Sequence, residues 1–240
     1  MAKIKRIEQL LAFDRCTIDS GKIAAGDVPG LANQLNLFEQ KIKAVVGVDE
    51  VGRGCLAGPV VAAAVMFKVD GLNPRFVEDI SELDDSKKLT LEQRERLSAH
   101  IGDGAYSAVA ECSNVEIDEL NILRASLLAM KRAVQKLLRK TPYNLSEVIL
   151  LVDGNKRIDY RGANQITVIK GDSNSASIAA ASVVAKVYRD RLMKTLAEQH
   201  PHYHWHSNKG YPSKAHKEAI ALYGLTEWHR QTFRWQKTES

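Results

Sequence analysis

The stretch that decides the fold of this chain is Ala44-Val45-Val46-Gly47-Val48-Asp49-Glu50-Val51-Gly52-Arg53-Gly54. Its first five residues are apolar and mostly β-branched, which predicts a buried strand. Two adjacent carboxylates end that strand, and a turn of two glycines around an arginine follows. Burying ionised carboxylates is costly unless a cation or paired donors compensate. The stretch therefore indicates a divalent-metal site, and it leaves open a strand-to-turn corner with two solvated acids.

Two further apolar runs of strand length are followed by acids. Asp153 follows the run 148–152, and Asp172 follows the run 166–169 after two intervening residues. Sheets with parallel strands collect functional groups at strand ends, so four carboxylates from distant parts of the chain suggest one cluster of hard oxygen ligands. Such a cluster suits Mg²⁺ or Mn²⁺ rather than Zn²⁺. Because like charges repel, each additional acid favours the metal interpretation.

Six segments spread over nearly two hundred residues form one ordered set of motifs. They are 49–61, 85–89, 152–155, 171–190, 209–216 and 229–233. Together they resemble the type 2 ribonucleases H, in particular the bacterial ribonuclease HII family. The resemblance implies an α/β chain with the ribonuclease H-like fold: a mixed five-stranded sheet flanked by helices, with a helical C-terminal substrate-binding region.

The same resemblance implies an activity. Members of this family are metal-dependent endoribonucleases that hydrolyse the RNA strand of RNA–DNA hybrids. They also incise 5′ of single ribonucleotides embedded in duplex DNA, leave 3′-hydroxyl and 5′-phosphate ends, and act in ribonucleotide excision repair. Two divalent ions about 4 Å apart are expected to carry the hydrolysis. By this similarity, the catalytic and metal-binding residues are Asp49, Glu50, Asp153 and Asp172, with Asp49 as the bridging ligand.

Substrate-binding residues are also carried over by resemblance. The segment Gly52-Arg53-Gly54, here called the 52–54 turn, matches the turn that recognises the 2′-hydroxyl of the ribonucleotide. Glycines also permit a tight turn, and both interpretations hold together. Tyr211 matches the tyrosine that stacks on the following deoxyribose, and a buried tyrosine is its alternative. Lys87 is the first candidate for phosphate contact; Lys88, Lys186 and Arg189 are the others, and a solvated surface residue is the alternative for all four.

Composition and charge agree with a nucleic-acid substrate without proving it. The chain has 240 residues, 45% of them hydrophobic, and 34 basic against 29 acidic residues give a net charge of +5. Because four acids are assigned to metal, the remaining surface is more basic still, which suits a phosphate backbone. Solubility alone is the alternative explanation of that charge. The expected partners are RNA–DNA hybrids and ribonucleotide-containing duplex DNA.

Cysteine spacing and hydropathy indicate the compartment. The three cysteines are far apart in sequence, so they support neither a zinc ribbon nor a disulfide framework and fit a reducing cytoplasm. Residues 1–15 mix charges among apolar residues, so no signal peptide is expected there, and no apolar stretch of the sequence approaches the length needed to cross a bilayer. We expect a cytoplasmic monomer. Contact with a sliding clamp is compatible with the family but is supported by no residue pattern.

Three regions are predicted. Residues 1–40 carry a helical pattern at Ile7, Leu10, Leu11 and Phe13 and then a Gly/Pro-containing stretch. They form an N-terminal helical extension, for which packing is favoured over substrate contact. Residues 41–198 form the ribonuclease H-like core, with strands at 44–48, 59–67, 105–111, 148–152 and 166–169. The first three strands form an antiparallel meander, and helices at 115–138 and 176–192 complete a β-β-β-α-β-α-β order. Residues 199–240 form the helical C-terminal substrate-binding region.

Four alternative interpretations compete with these predictions. The alternating histidines at 200, 202, 204 and 206 invite a transition-metal site, but solvated loop histidines are commoner. A nucleotide-binding glycine loop over 52–58 lacks the Gly-Lys-Ser/Thr ending, and its third glycine is one position late. A non-catalytic nucleic-acid-binding module would not need all four acids. The fourth alternative is a resemblance to ribonuclease HIII. That family lacks the Gly-Arg-Gly form of the turn, so the turn of this chain favours ribonuclease HII.

Overall fold

The computed structural model describes residues 2–20, 42–68 and 72–235, and within these ranges five strands form one mixed sheet. The strands are β1 Ala44–Val51, β2 Val60–Phe67, β3 Ala105–Cys112, β4 Val148–Asp153 and β5 Asn164–Val168. Their order is β3-β2-β1-β4-β5. β1, β2 and β3 pair antiparallel, whereas β4 runs parallel to both β1 and β5. The predicted mixed sheet and its antiparallel meander are confirmed.

Helices precede, interrupt and follow these strands in the chain. They are α1 Ala2–Ser20, α2 Pro74–Asp79, α3 Leu91–Gly104, α4 Asn114–Leu120, α5 Ile122–Leu138, α6 Ala176–Gln199, α7 Trp205–Asn208 and α8 Lys214–Tyr223. Short 3₁₀ turns occupy 145–147, 171–173 and 201–203. None of the helices in the described ranges has the length and apolar character needed to cross a bilayer.

Two sequence predictions about helices are wrong. The helix expected over 115–138 is broken at Asn121, which has a φ of 69°, a value that cannot continue a right-handed helix. The Asn121 side chain instead accepts hydrogen bonds from the backbone N–H groups of Leu123 and Arg124 and caps α5. The predicted strand and helix order also differs, because α2 and α3 lie between β2 and β3 and no helix separates β4 from β5.

The close contact between α6 and β1 determines the geometry of one sheet face. α6 packs on this face through small residues, among them Ala179, Ala180 and Ala181. Gly47 of β1 has no side chain because none would fit there. A Cβ at Gly47 would lie 2.0 Å from the backbone carbonyl carbon of Ser177. The opposite face is covered by α5, whose buried side chains share a core with β1, β2 and β4.

Helix α1 contributes to the α6 side of the sheet. Ile7, Leu10 and Leu11 are buried and pack in the same core as α6. Asp14 accepts hydrogen bonds from the Ser175 hydroxyl and the Ser177 backbone N–H, at the start of α6. The Gly/Pro stretch near 26–30 and the proposed boundary at residue 40 lie outside the described residues.

Candidate metal centre and nucleic-acid site

The two adjacent acids of the opening stretch lie within β1 rather than after it, because the strand continues to Val51. Since successive side chains of a strand alternate between the faces of the sheet, Asp49 and Glu50 project to opposite faces. Asp49 lies on the α6 face, where the Ser182 hydroxyl donates a hydrogen bond to it. Glu50 lies on the α5 face and accepts a hydrogen bond from the Arg53 guanidinium at 3.1 Å.

The other two predicted ligands reach the same edge of the sheet. Asp153 is the last residue of β4, and the pairing of Val48 with Val152 brings it beside Asp49. Its Oδ1 accepts a hydrogen bond from the Gly171 backbone N–H at 2.7 Å. Asp172 lies in the 3₁₀ turn 171–173, between β5 and α6. Two central strands and one turn therefore bring the four predicted acids to one end of the sheet.

Electrostatic interactions show how close these acids lie. Burial raises the pKa of Asp49 well above its usual range, and the negative charges of Glu50 and Asp153 raise it further. Burial raises the pKa of Glu50, while Arg53 opposes this shift. The pKa values of Asp153 and Asp172 are likewise raised, first by burial. These four residues, here called the four acids, therefore form a desolvated and mutually repelling group of carboxylates.

The chemistry of the four acids fits a divalent cation. Carboxylate oxygens are the ligands that Mg²⁺ and Mn²⁺ prefer, and a bound cation would relieve both the repulsion and the cost of burial. In the described ranges, no three or more Asp, Glu, His or Cys side chains are gathered around one point as ligands. The four acids thus supply suitable donors at one edge of the sheet, although their side chains do not converge on a single point.

Two neighbours of the four acids were not predicted from the sequence. Asp85 lies close enough for its charge to raise the pKa of both Asp153 and Asp172. Ser182 of α6 donates a hydrogen bond to Asp49. The Ser182 hydroxyl also lies 2.9 Å from the Ser86 hydroxyl. The motif 85–89 is recognisable in the sequence, but nothing in its local pattern indicates that it faces β4 and α6.

The basic residues near the site differ in what they can contact. The positive charge of Lys87 lowers the pKa of Asp153 and Asp172, so Lys87 lies beside the acids as its predicted phosphate role requires. Lys186 instead donates to Asp190 at 2.6 Å. Arg189 is fully buried and donates to backbone carbonyls. Both interpretations of Arg189, a phosphate contact and a solvated surface residue, are therefore wrong.

The 52–54 turn lies at the end of β1, next to the four acids. Gly52 has a φ of 92°, a value that L side chains rarely adopt, and an added Cβ would lie 2.3 Å from Nε of Arg189. Arg53 directs its guanidinium back to Glu50. Around Gly54 there is open space, since a Cβ there would meet nothing within 4 Å. The turn is therefore tight on its inner side and open on its outer side.

Tyr211 lies in the loop between α7 and α8, which is attached to the segment that follows the 52–54 turn. The Leu56 backbone N–H donates to the Gly210 carbonyl at 2.7 Å, directly before Tyr211. Tyr211 is 38% exposed, so the alternative of a fully buried tyrosine does not apply. Its carbonyl lies 2.9 Å from Nδ1 of His216, which is buried.

A cavity of about 180 Å³ adjoins the acids on the α5 side of the sheet. Leu123, Leu127 and Met130 of α5 form an apolar wall. The polar lining comes from Glu50, Arg53, Asp153, Asn155 and Lys156. The lining therefore combines an apolar wall with charged side chains, and two carboxylates border the cavity.

The four histidines of 200–206 do not lie on a strand. His202 lies in a 3₁₀ turn and His206 in a short helix, and His200 and His204 flank these elements, so the alternate spacing has no strand to align it. His200 packs 5.4 Å from Trp205, and His202 stacks on Tyr223 at 4.6 Å between ring centroids. No metal-ligating group that includes them occurs among the described residues.

Comparisons with known proteins agree with this architecture. The family model described as Ribonuclease HII matches residues 46–238. A Ribonuclease HII of Fusobacterium nucleatum is 48% identical over 202 residues, covering 84% of this chain and 90% of that protein. Two of the similar solved structures are archaeal. The ribonuclease H2 of Pyrococcus horikoshii OT3 has a TM-score of 0.65 and 26% identity, covering 80% of this chain and 95% of that one.

The second archaeal structure is the PCNA:RNase HII complex of Archaeoglobus fulgidus. It has a TM-score of 0.61 and 27% identity, and it covers 82% of this chain and 98% of that one. The family match extends from β1 through the C-terminal segment, so it includes all four acids, the 52–54 turn and Tyr211. The fold is accordingly the ribonuclease H-like fold of these relatives. This chain belongs to the ribonuclease HII family and is an endoribonuclease of the ribonuclease H2 type.

Proposed function

We propose that this protein hydrolyses the RNA strand of RNA–DNA hybrids and incises 5′ of single ribonucleotides embedded in duplex DNA. The products would carry 3′-hydroxyl and 5′-phosphate ends, and the reaction would serve ribonucleotide removal from DNA. The observation that carries the proposal is the position of the 52–54 turn beside the four acids, through the contact of Arg53 with Glu50 at 3.1 Å. A surface able to recognise a sugar hydroxyl thereby adjoins a group able to hold cations.

Asp49, Glu50, Asp153 and Asp172 are proposed to hold divalent ions, Mg²⁺ or Mn²⁺. Bound there, such ions would supply an activated water and would stabilise the leaving 3′ oxygen. The chain itself positions the ligands: Ser182 holds Asp49, and the Gly171 N–H holds Asp153. Because a water is the nucleophile in this chemistry, no serine is assigned a covalent role.

Substrate recognition is proposed to depend on the sugar, because the 2′-hydroxyl distinguishes RNA from DNA at one position. The 52–54 turn would contact that hydroxyl, since its open outer side permits close approach. Tyr211, half-exposed and held near the same turn, would stack on the next deoxyribose. Lys87, beside Asp153 and Asp172, would contact a phosphate.

Regions and partners complete the proposal. We propose that residues 41–198 form the catalytic core and 199–240 the substrate-binding region of a cytoplasmic monomer. A sliding clamp is a partner to test, because the similar archaeal enzyme named above was solved as a PCNA complex.

Cleavage of three matched duplexes tests the function. One contains a single embedded ribonucleotide, one is all DNA, and one is a continuous RNA–DNA hybrid, each with Mg²⁺, Mn²⁺ or EDTA. We expect metal-dependent incision on the 5′ side of the lone ribonucleotide and no cutting of all-DNA duplex. Asp49→Asn should abolish cleavage, whereas Asp103→Asn, an exposed acid on α3, should not. Cutting of the continuous hybrid alone would contradict junction recognition, and binding without cleavage in every metal would indicate a non-catalytic module.

A further inference from the structure

Two fully buried arginines lie behind the 52–54 turn, and the proposed chemistry uses neither of them. Arg189 of α6 is 0% exposed, and Arg230, near the end of the described chain, is 1% exposed. Every hydrogen-bond acceptor that the described residues offer these two guanidinium groups is a backbone carbonyl. Because burying an unpaired charge is costly, such an arrangement calls for a reason beyond stability.

Arg230 binds the turn from its inner side. Its Nη2 donates to the Gly52 carbonyl at 2.7 Å, and its Nη1 donates to the Arg53 carbonyl at 2.8 Å. Nε and Nη2 also donate to the Gly58 carbonyl at 3.1 and 3.0 Å. Burial lowers the pKa of Arg230 to about 10, so the group stays charged at neutral pH. One planar group therefore fixes three carbonyls of the segment 52–58.

Fixing these carbonyls also fixes the direction of the following N–H groups. In a trans peptide the C=O and the next N–H point to opposite sides, and no cis peptide occurs in the described chain. With the Gly52 and Arg53 carbonyls held inward, the N–H groups of Arg53 and Gly54 point away from Arg230. Neither N–H donates to another atom of the described residues, and the space beside Gly54 is open.

We infer that Arg230 is a positioning residue for ribonucleotide recognition: it aims the free peptide N–H groups of Arg53 and Gly54 at the sugar hydroxyl of the substrate. The inference rests on the proposed function, and it assigns a role to the C-terminal motif 229–233. Arg189 supports the same arrangement from α6, since it donates to the carbonyls of Ala57 and Pro59 and to that of Lys209. Arg230 differs because, of the two, only its guanidinium donates hydrogen bonds to carbonyls of the turn itself.

Binding selectivity, measured under conditions in which the substrate is not cleaved, tests the inference. Fluorescence anisotropy in Ca²⁺ or EDTA gives the Kd for a duplex with one ribonucleotide and for the matched all-DNA duplex. Arg230→Lys keeps the charge, but a single ammonium cannot reach three carbonyls. We expect its selectivity, the ratio of the two Kd values, to fall toward one while the Kd for all-DNA duplex changes less than twofold. Leu137→Ala, which destabilises the distant α5 core, should keep the wild-type selectivity.

Two results would overturn the inference and leave the nuclease function intact. One is Arg230→Lys with selectivity within twofold of wild type; the other is a wild type that cuts at the ribonucleotide without binding that duplex more tightly. A wild type that does not cut would overturn the proposed function and the inference with it. If Arg230→Lys does not fold, ¹⁵N NMR of the wild type tests instead whether the Arg53 and Gly54 N–H groups respond to the ribonucleotide. The Arg53 and Gly54 amide signals should shift on adding the ribonucleotide duplex and not on adding all-DNA duplex, and equal responses would refute the role.

Discussion

Replacing Asp14 by asparagine should change how the free energy of unfolding depends on pH. The Asp14 carboxylate of α1 is 6% exposed and accepts hydrogen bonds from the Ser175 hydroxyl at 2.6 Å and the Ser177 N–H at 2.8 Å. Burial outweighs these bonds and raises its pKa from 3.8 to about 6. Because the folded state has the higher pKa, the contribution of Asp14 to stability is complete below pH 3.8 and is lost as pH rises through 6.

The size of this effect follows from the difference between the two pKa values. One pKa unit corresponds to about 1.4 kcal/mol, so the contribution of Asp14 to the free energy of unfolding falls by about 3 kcal/mol in total as pH rises. About 1.4 kcal/mol of this fall occurs between pH 5 and 8. Asparagine stays neutral and keeps only one acceptor oxygen for the two donors, a loss of about 1–3 kcal/mol that does not vary with pH. The difference in stability between variant and wild type should therefore move in the variant's favour by about 1.4 kcal/mol between pH 5 and 8.

Urea unfolding of both proteins at pH 5, 6, 7 and 8 measures that difference. Groups common to both proteins cancel, so only the titration of position 14 remains. Asp103→Asn, at an exposed acid, should give a curve parallel to wild type. A parallel curve for Asp14→Asn would refute the reasoning, because it would mean that burial does not raise the Asp14 pKa in the folded protein.

Three further outcomes are expected. Gly47→Ala should destabilise the protein by about 3 kcal/mol or more in urea unfolding, because its Cβ would lie 2.0 Å from the α6 backbone, and a loss below 1 kcal/mol, roughly, would contradict that contact. Burial lowers the pKa of His229 from 6.5 to about 4, so its contribution to stability is present above pH 6.5 and lost as pH falls through 4. Between pH 7 and 4.5 the free energy of unfolding should fall by about 2 kcal/mol less in His229→Gln than in wild type. An equal fall in both proteins would contradict the lowered pKa of His229. Mg²⁺ at about ten times its Kd should raise Tm by about 3 °C or more, and Asp49→Asn should remove most of that rise; a wild type without any rise would argue against a metal centre.

Local sequence predicted the strands well, because each strand is a short run of apolar residues, and such a run by itself indicates a buried strand. All five predicted strands exist, with bounds that differ by at most three residues. The break at Asn121 was not predicted, because the apolar stripe of 115–138 continues across it. The spacing of apolar residues shows which side of a helix is buried, but it does not show the backbone angle of a single capping residue. The positive φ of such a residue can therefore end a helix without changing the apolar pattern.

The site was partly predictable for the same reason. Acids at the ends of apolar runs, together with the ordered motifs, predicted four acids and a turn that lie at one end of the sheet, and their role in metal and substrate binding stays a prediction. Residues whose role depends on a distant contact could not be predicted. Arg189 looked like a surface base on a helix, yet it is buried against carbonyls from two other segments. Asp85 and Ser182 show the same limit, since each faces acids far away in sequence.

Residue type, periodicity and motif order were enough to identify the strand segments and the family and to predict the ligand chemistry, because all three can be found along the chain itself. Which groups meet depends instead on how the elements pack. Packing placed Asp14 at the start of α6, and Arg230 behind a turn more than 170 positions earlier in the chain. The physical reason is that burial and hydrogen-bond partners arise between distant segments. No single segment encodes the desolvation or the contacts that its neighbours impose.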